Sequence, residues 1–154
     1  LAFDGYYEKK WFPYTMPISD IYGLRQAFDN IKNDPYMLER HAKIGNAVRA
    51  AVKEAGLELY QETGFSNTVT VFNVPEGTTD TAILTAMKEK CNIMLAGSFG
   101  AFAGKVIRIG HMGENAYPEK VGAVMAGLDL VFKDLGITLK CSLKEAYDRK
   151  MSEQ

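Results

Sequence analysis

The chain has few of the residues that build metal and redox centres. Only two of its 154 residues are cysteine and two are histidine. Cys91 and Cys141 stand far apart, in no CxxC pair and with no histidine beside them. That argues against a zinc site and a disulfide scaffold; buried or idle thiols in a cytoplasmic protein and no metal are the expectation. An excess of charge of one sign is also missing. The formal net charge is −1, with acidic and basic residues interspersed, so the chain lacks the basic stripe that nucleic-acid binding needs. No apolar run is long enough to span a bilayer, and no stretch reads as a signal peptide. Neither nucleic acid nor membrane is expected as a partner. There is no repeat and no low-complexity tract.

What is present describes an ordinary globular domain. Hydrophobic residues make up 47% and charged residues 24%, and this length can bury one core. The opening is crowded with aromatics: Phe3, Tyr6, Tyr7, Trp11, Phe12 and Tyr14. They follow no helical or strand period, and such a segment is expected to pack against a surface, either the rest of the chain or an upstream domain.

Helices and strands then alternate. Ser19 or Asp20 can cap a helix to about Lys32, with Ile21, Leu24, Phe28 and Ile31 at helical spacing. Asp34 is placed as a cap and Pro35 at the first position of a long helix to about Ala55. Its stripe is Leu38, Ile44, Val48, Ala51, Val52 and Ala55, and Gly56 ends it. Leu57–Tyr60 reads as a short strand and Thr68–Val74 as a stronger one, followed by a turn at Pro75–Gly77. Thr79 or Asp80 starts a helix with Ile83, Leu84 and Met87 on one face. Ile93–Leu95 reads as a buried-type strand. Pro118 opens a helix whose stripe runs Val121, Val124, Met125, Leu128, Val131, Phe132 and Leu135, with Gly136 as its stop. A charged last helix, from Ser142 to about Lys150, is expected to fray.

The segment from Gly97 to Gly113 is the most informative. A glycine-rich loop runs into Val106-Ile107-Arg108-Ile109, which has strand composition. Side chains alternate across a strand, so Ile107 and Ile109 share one face and Arg108 looks the other way. A guanidinium is always charged and grips a carboxylate with paired hydrogen bonds. Arg108 is therefore a candidate carboxylate anchor, and a structural ion pair or a solvated face is the alternative. Gly104-Lys105 does not complete a phosphate-binding P-loop. Phe99 stands where the first glycine belongs, and Val106 replaces the hydroxyl residue that would hold magnesium. A strand follows instead of a helix, which also argues against a dinucleotide fold. His41 is expected to be half-buried and structural. His111 lies just beyond Arg108 in a glycine turn, but no Ser, Cys or carboxylate nearby completes a triad. The methionines sit mostly at core-type positions.

Three blocks carry a family resemblance. They are Trp11-Phe12-Pro13-Tyr14-Thr15-Met16-Pro17-Ile18-Ser19 with Ile21-Tyr22-Gly23-Leu24, then Arg40-His41, then Gly104-Lys105-Val106-Ile107-Arg108-Ile109-Gly110-His111-Met112-Gly113. In order and spacing they resemble the Thr-x-Pro segment, the Arg-His pair and the final Gly-Lys-x-x-Arg-Ile-Gly-x-x-Gly block of class V, fold-type I, pyridoxal-phosphate aminotransferases. The alanine–glyoxylate, serine–glyoxylate and serine–pyruvate group is the most similar. The resemblance implies that Arg108 binds the substrate α-carboxylate. It implies that Thr15 reaches the cofactor phosphate of the neighbouring subunit in a homodimer. Phe12 falls where some members have a phosphate-binding tyrosine, and the Gly97–Gly104 loop matches one near the active-site entrance.

The resemblance also implies what should lie elsewhere. The Schiff-base lysine, the aspartate that pairs with the pyridine nitrogen and most phosphate ligands belong to a large domain upstream, so no catalytic residue is expected here. Residues 1–34 are then an N-terminal segment and interdomain helix continuing from that domain, and residues 35–154 a C-terminal small domain. The expected fold class is α/β (α+β): a small, partly antiparallel sheet with helices packed on one face, of the aminotransferase small-domain type. The expected function is part of a cytoplasmic transaminase moving an amino group from alanine or serine to a 2-oxo acid such as glyoxylate or pyruvate. The piece alone, whether expressed alone or left by proteolysis, is expected to be inactive. A non-catalytic α/β module that binds a small carboxylate is the alternative.

Overall fold

The computed structural model describes residues 4–10 and 14–153. Phe3, Trp11 and Phe12 lie outside the described residues. The chain divides into two compact units, one ending at Met37 and the other beginning at Leu38.

The first unit carries a short helix α1 (Tyr6–Lys9) and a longer α2 (Ile18–Lys32). Helix α2 starts earlier than the Ser19 or Asp20 cap predicts. Pro17 is its N-cap, at φ −78°, without a side-chain cap bond. A proline arrives with φ already near the helical value, and its carbonyl accepts the first bond, from Ile21 N at 3.0 Å. None of the residues of α2 is buried within the described chain. Its stripe of Ile21, Leu24, Phe28 and Ile31 stands exposed, Phe28 by 64%.

The second unit continues with α3 (Met37–Glu54), β1 (Val69–Asn73), α4 (Asp80–Cys91), β2 (Val106–Gly110), α5 (Pro118–Asp134) and α6 (Leu143–Ser152). Helix α3 begins at Met37 rather than Pro35, because Asp34 O accepts Met37 N across a turn. From Ile44 onward its predicted stripe is buried, while Leu38, in its first turn, is 77% exposed. Gly56 adopts φ +86° just beyond its end, the left-handed step that glycine takes without strain. Helix α4 is capped by Thr79, whose hydroxyl accepts Ala82 N at 3.2 Å. Helix α6 is capped twice. Ser142 Oγ accepts Glu145 N at 3.1 Å, and the Asp129 carboxylate on α5 accepts Leu143 N at 2.7 Å and Lys144 N at 3.0 Å. Helix α6 ends at Ser152, two residues past Lys150, and Arg149 and Lys150 both pair with Glu54 of α3.

Strands β1 and β2 pair antiparallel, with Phe72 opposite Ile107 and Val71 opposite Arg108. Phe72, Ile107 and Ile109 are fully buried. They join Val48 and Val52 of α3, Met87 of α4, Phe132 of α5 and Tyr147 of α6 in one core. Phe72 meets Phe132 edge-on at 6.4 Å. The fold is thus a mixed α/β arrangement of helices around a small antiparallel sheet. Two predicted strands shrink to single bridges. The Leu57–Tyr60 segment contributes only the pair Leu59–Phe72, and the Ile93–Leu95 segment only its neighbour Ala96, paired with Arg108. Nor is the segment fully buried: Ile93 and Leu95 are half-buried against the core, while Met94 is 82% exposed. An edge needs only one paired side, so these segments lie alongside β1 and β2 without extending a full ladder.

Candidate functional site

Arg108 sits in the middle of β2, on the face opposite Ile107 and Ile109, and is half-buried. Its backbone is fixed on both sides. It lies opposite Val71 in β1, and its N–H donates to Ala96 O at 2.7 Å on the other edge. Its side chain is fixed as well: Nε donates to the Gly97 carbonyl at 2.6 Å. Among the described residues, no hydrogen bond or ion pair engages Nη1 or Nη2. The two terminal nitrogens form an end-on fork of the shape that takes both oxygens of one carboxylate.

Arg108 lines a cleft of about 720 Å³. Its walls are the Ile93–Ala96 segment, Val69 and Gly110 of the sheet, the turn through Met112 and Asn115, and Lys120, Val121 and Val124 at the start of α5. The charged side chains of this lining are Arg108 and Lys120, with no aspartate or glutamate among them. A basic fork in a mostly apolar cleft favours a small anion with an apolar body.

The two predicted site residues belong to different units. Thr15 lies in the unit ending at Met37, exposed, in the irregular stretch ahead of α2. The glycine loop is in the same unit as Arg108. It passes through a short turn at Gly100–Phe102, and Phe102 rests edge-on against Tyr60 at 5.3 Å. Among the described residues, no three His, Cys, Asp or Glu side chains gather as a metal would require. No helix there is long and apolar enough to cross a membrane.

His111 is not part of the cleft lining. It is fully buried. Its Nδ1 faces Asn67 O at 3.1 Å and its Nε2 faces the Thr70 hydroxyl at 2.9 Å. A carbonyl can only accept, so Nδ1 carries the proton and Nε2 accepts from Thr70. Burial pushes its pKa down, and the nearby Arg49 and His41 add to that. The ring is therefore neutral and structural. His41 is also buried, with its Nε2 accepting Gly113 N at 3.3 Å.

Sequence reasoning missed Arg49. It sits on the buried face of α3, donating Nη1 to Ser66 O at 2.8 Å and Nη2 to Asn46 Oδ1 at 2.6 Å, with its guanidinium over the Phe65 ring at 5.0 Å. Burial lowers its pKa. A Cβ on Gly45 would lie 3.1 Å from Arg49, 3.3 Å from Asn67 and 3.4 Å from His111. The one local signal was that glycine, four residues before an arginine on an otherwise apolar face.

No protein-family model matches the chain. It is 38% identical to an uncharacterized aminotransferase of Methanocaldococcus jannaschii over 144 residues, covering 91% of this chain and 37% of that protein. It is 36% identical to a serine–glyoxylate aminotransferase of Arabidopsis thaliana over 130 residues, 82% of this chain and 32% of that protein. The crystal structure of ureidoglycine–glyoxylate aminotransferase from Bacillus subtilis superposes with a TM-score of 0.87 at 26% identity, over 99% of this chain and 41% of that one. The chain thus spans well under half the length of the relatives it matches.

Proposed function

The chain belongs to the class V aminotransferases, as their small C-terminal part, and on that premise we propose that it supplies the carboxylate-binding arm of a transaminase. The reaction moves an amino group from a small amino acid, alanine or serine, to a 2-oxo acid such as glyoxylate or pyruvate. The observation that carries this reading is the Arg108 fork. Its two terminal nitrogens are left open while Nε is tied to Gly97, and Arg108 lines a cleft with no acidic side chain in its lining. Donor and acceptor both carry a carboxylate beside the reacting carbon. One fork can therefore hold either and set its carbon at a fixed distance from the strand.

Pyridoxal phosphate, when bound, supplies the carbanion chemistry. The described residues do not build a site for it by themselves: they offer the exposed hydroxyl of Thr15 and, in the cleft, cations suited to an anion. In this reading Thr15 reaches the cofactor phosphate of a neighbouring subunit, and a large domain supplies the lysine and the remaining ligands. The enzyme is a cytoplasmic homodimer, and the chain divides into residues 1–34, continuing from that large domain, and residues 35–154.

Steady-state kinetics of the full-length polypeptide test the role of Arg108. Charge-assisted bonds contribute about 1.5–3 kcal/mol, so Arg108→Ala should weaken amino-acid binding at least ~10-fold. Arg108→Lys should also be impaired, because a point charge cannot reproduce the paired geometry. Unchanged KM and kcat in Arg108→Ala would overturn the proposal.

A further inference from the structure

Arg108 can present its fork in one direction only if something stops the long side chain from swinging. Strand β2 fixes the Cα–Cβ bond, but several rotatable bonds remain beyond it. The Ile93–Ala96 segment approaches, makes one backbone pair at Ala96, and goes no further as a ladder. One residue beyond that pair, the Gly97 carbonyl accepts Arg108 Nε at 2.6 Å.

Gly97 is pressed against the start of α4. A Cβ there would lie 3.2 Å from Asp80 Oδ2 and 3.4 Å from Leu84 Cδ1. Its backbone is not in the left-handed region, so the constraint at this position is space and not φ. The Leu84 methyl is the tip of a flexible side chain and can give way. The Asp80 carboxylate is held, since Oδ1 accepts Thr81 N at 2.6 Å and Thr81 Oγ1 at 3.2 Å. A Cβ at position 97 therefore requires a shift of a few tenths of an ångström, and with the carboxylate anchored the segment and its carbonyl take it up, away from α4.

From these contacts we infer that Gly97 is a positioning residue for the reaction. It lets its carbonyl reach Arg108 Nε, which directs Nη1 and Nη2 as a fork toward the substrate carboxylate. The inference rests on the reading of Arg108 as the carboxylate arm, and Asp80 is the wall that makes glycine necessary.

Two measurements test it. In NMR spectra of the chain, the Arg108 Hε proton should be protected from solvent exchange. In Gly97→Ala it should exchange as fast as a free arginine, while the β1–β2 ladder amides stay unchanged. Fast exchange in the unaltered chain overturns the proposal without any variant. In the full-length enzyme, Gly97→Ala should raise the KM for the amino acid about five- to tenfold, less than the loss of the fork itself in Arg108→Ala, with kcat within about twofold. Adding Asp80→Ala should restore both Hε protection and KM. A double variant as impaired as Gly97→Ala, or a Gly97→Ala enzyme with unchanged KM, overturns the proposal. If Arg108→Ala itself leaves KM unchanged, the function of Arg108 fails, while Hε exchange still decides whether Gly97 orients it.

Discussion

Two arginines of this chain show what a free donor means. Arg49 and Arg108 both rise from the middle of a regular element, and both lie close to backbone carbonyls. Arg49 spends its terminal nitrogens on Ser66 O and Asn46 Oδ1 and covers its plane with Phe65. Arg108 gives up Nε alone, and the residue lines a cleft. The first arginine is part of a closed polar network with Asn67, His111 and Thr70 that ties α3 to β1. The second is held from behind and open in front. A satisfied guanidinium contributes to stability, and an oriented but unsatisfied one is available to a ligand. The same side chain thus takes two roles, set by which of its nitrogens the fold occupies.

The open region gives the largest expected effect. A fork and a threonine hydroxyl are too few contacts to retain pyridoxal phosphate, so the 154-residue chain should have no transaminase activity. The check is to add the cofactor, remove the excess by gel filtration and record the visible spectrum. A stoichiometric cofactor band that changes on adding alanine or serine would show a complete site and sink the fragment reading. The chain should also self-associate through apolar surface, because α2 presents Ile21, Leu24, Phe28 and Ile31 uncovered. Sedimentation of a monomer at all concentrations would contradict that.

The second effect separates the two arginines directly. Arg49→Ala removes a buried guanidinium and strands its acceptors, at a cost of about 1–3 kcal/mol in unfolding free energy. Arg108→Ala loses a single bond, to Gly97, from a half-buried side chain and should cost less than Arg49→Ala. Urea unfolding of both variants reads the difference. Equal losses would mean that Arg108 is structural, the alternative that its strand position left open.

Local chemistry was legible in the sequence. Thr79 and Ser142 as caps, Gly56 and Gly136 as stops, and Val106–Ile109 as a strand with Arg108 turned from the core all follow from residue type and period. Partnership was not. The stripes of α2 and α3 look alike as periodicities, yet Val48 and Val52 are fully buried while Leu24 and Phe28 are exposed. A period shows that a helix has an apolar face, and nothing local says what meets it. Ile93–Leu95 misled for a related reason. Its apolar run suits a core strand, but its neighbour Ala96 pairs on one side only, with Arg108. Arg49 and His111 were illegible because their acceptors come from the loop around Ser66 and Asn67, remote in sequence from His111.

The smallest effect probes the closed network through pH. His111 has its pKa lowered in the fold, chiefly by burial, from an ordinary value of 6.5. The unfolded chain therefore takes up a proton at this site before the folded one does. That makes its contribution to stability complete above pH 6.5 and progressively lost as pH falls below it. One such proton gives a slope of at most about 1.4 kcal/mol per pH unit. The structural reason is that protonated Nε2 could no longer accept the Thr70 hydroxyl, and a second positive charge would stand beside Arg49. Urea melts at pH 7.5 and pH 5.5 should show the unaltered chain losing stability over this interval, and His111→Gln, which cannot titrate, losing less. Exposed carboxylates such as Glu54, whose pKa is lowered by its bond to Arg149, respond only at lower pH. They do not mask the comparison. If the variant and the unaltered chain lose the same stability between these two values, His111 does not titrate across folding and the neutral, doubly bonded ring is the wrong description.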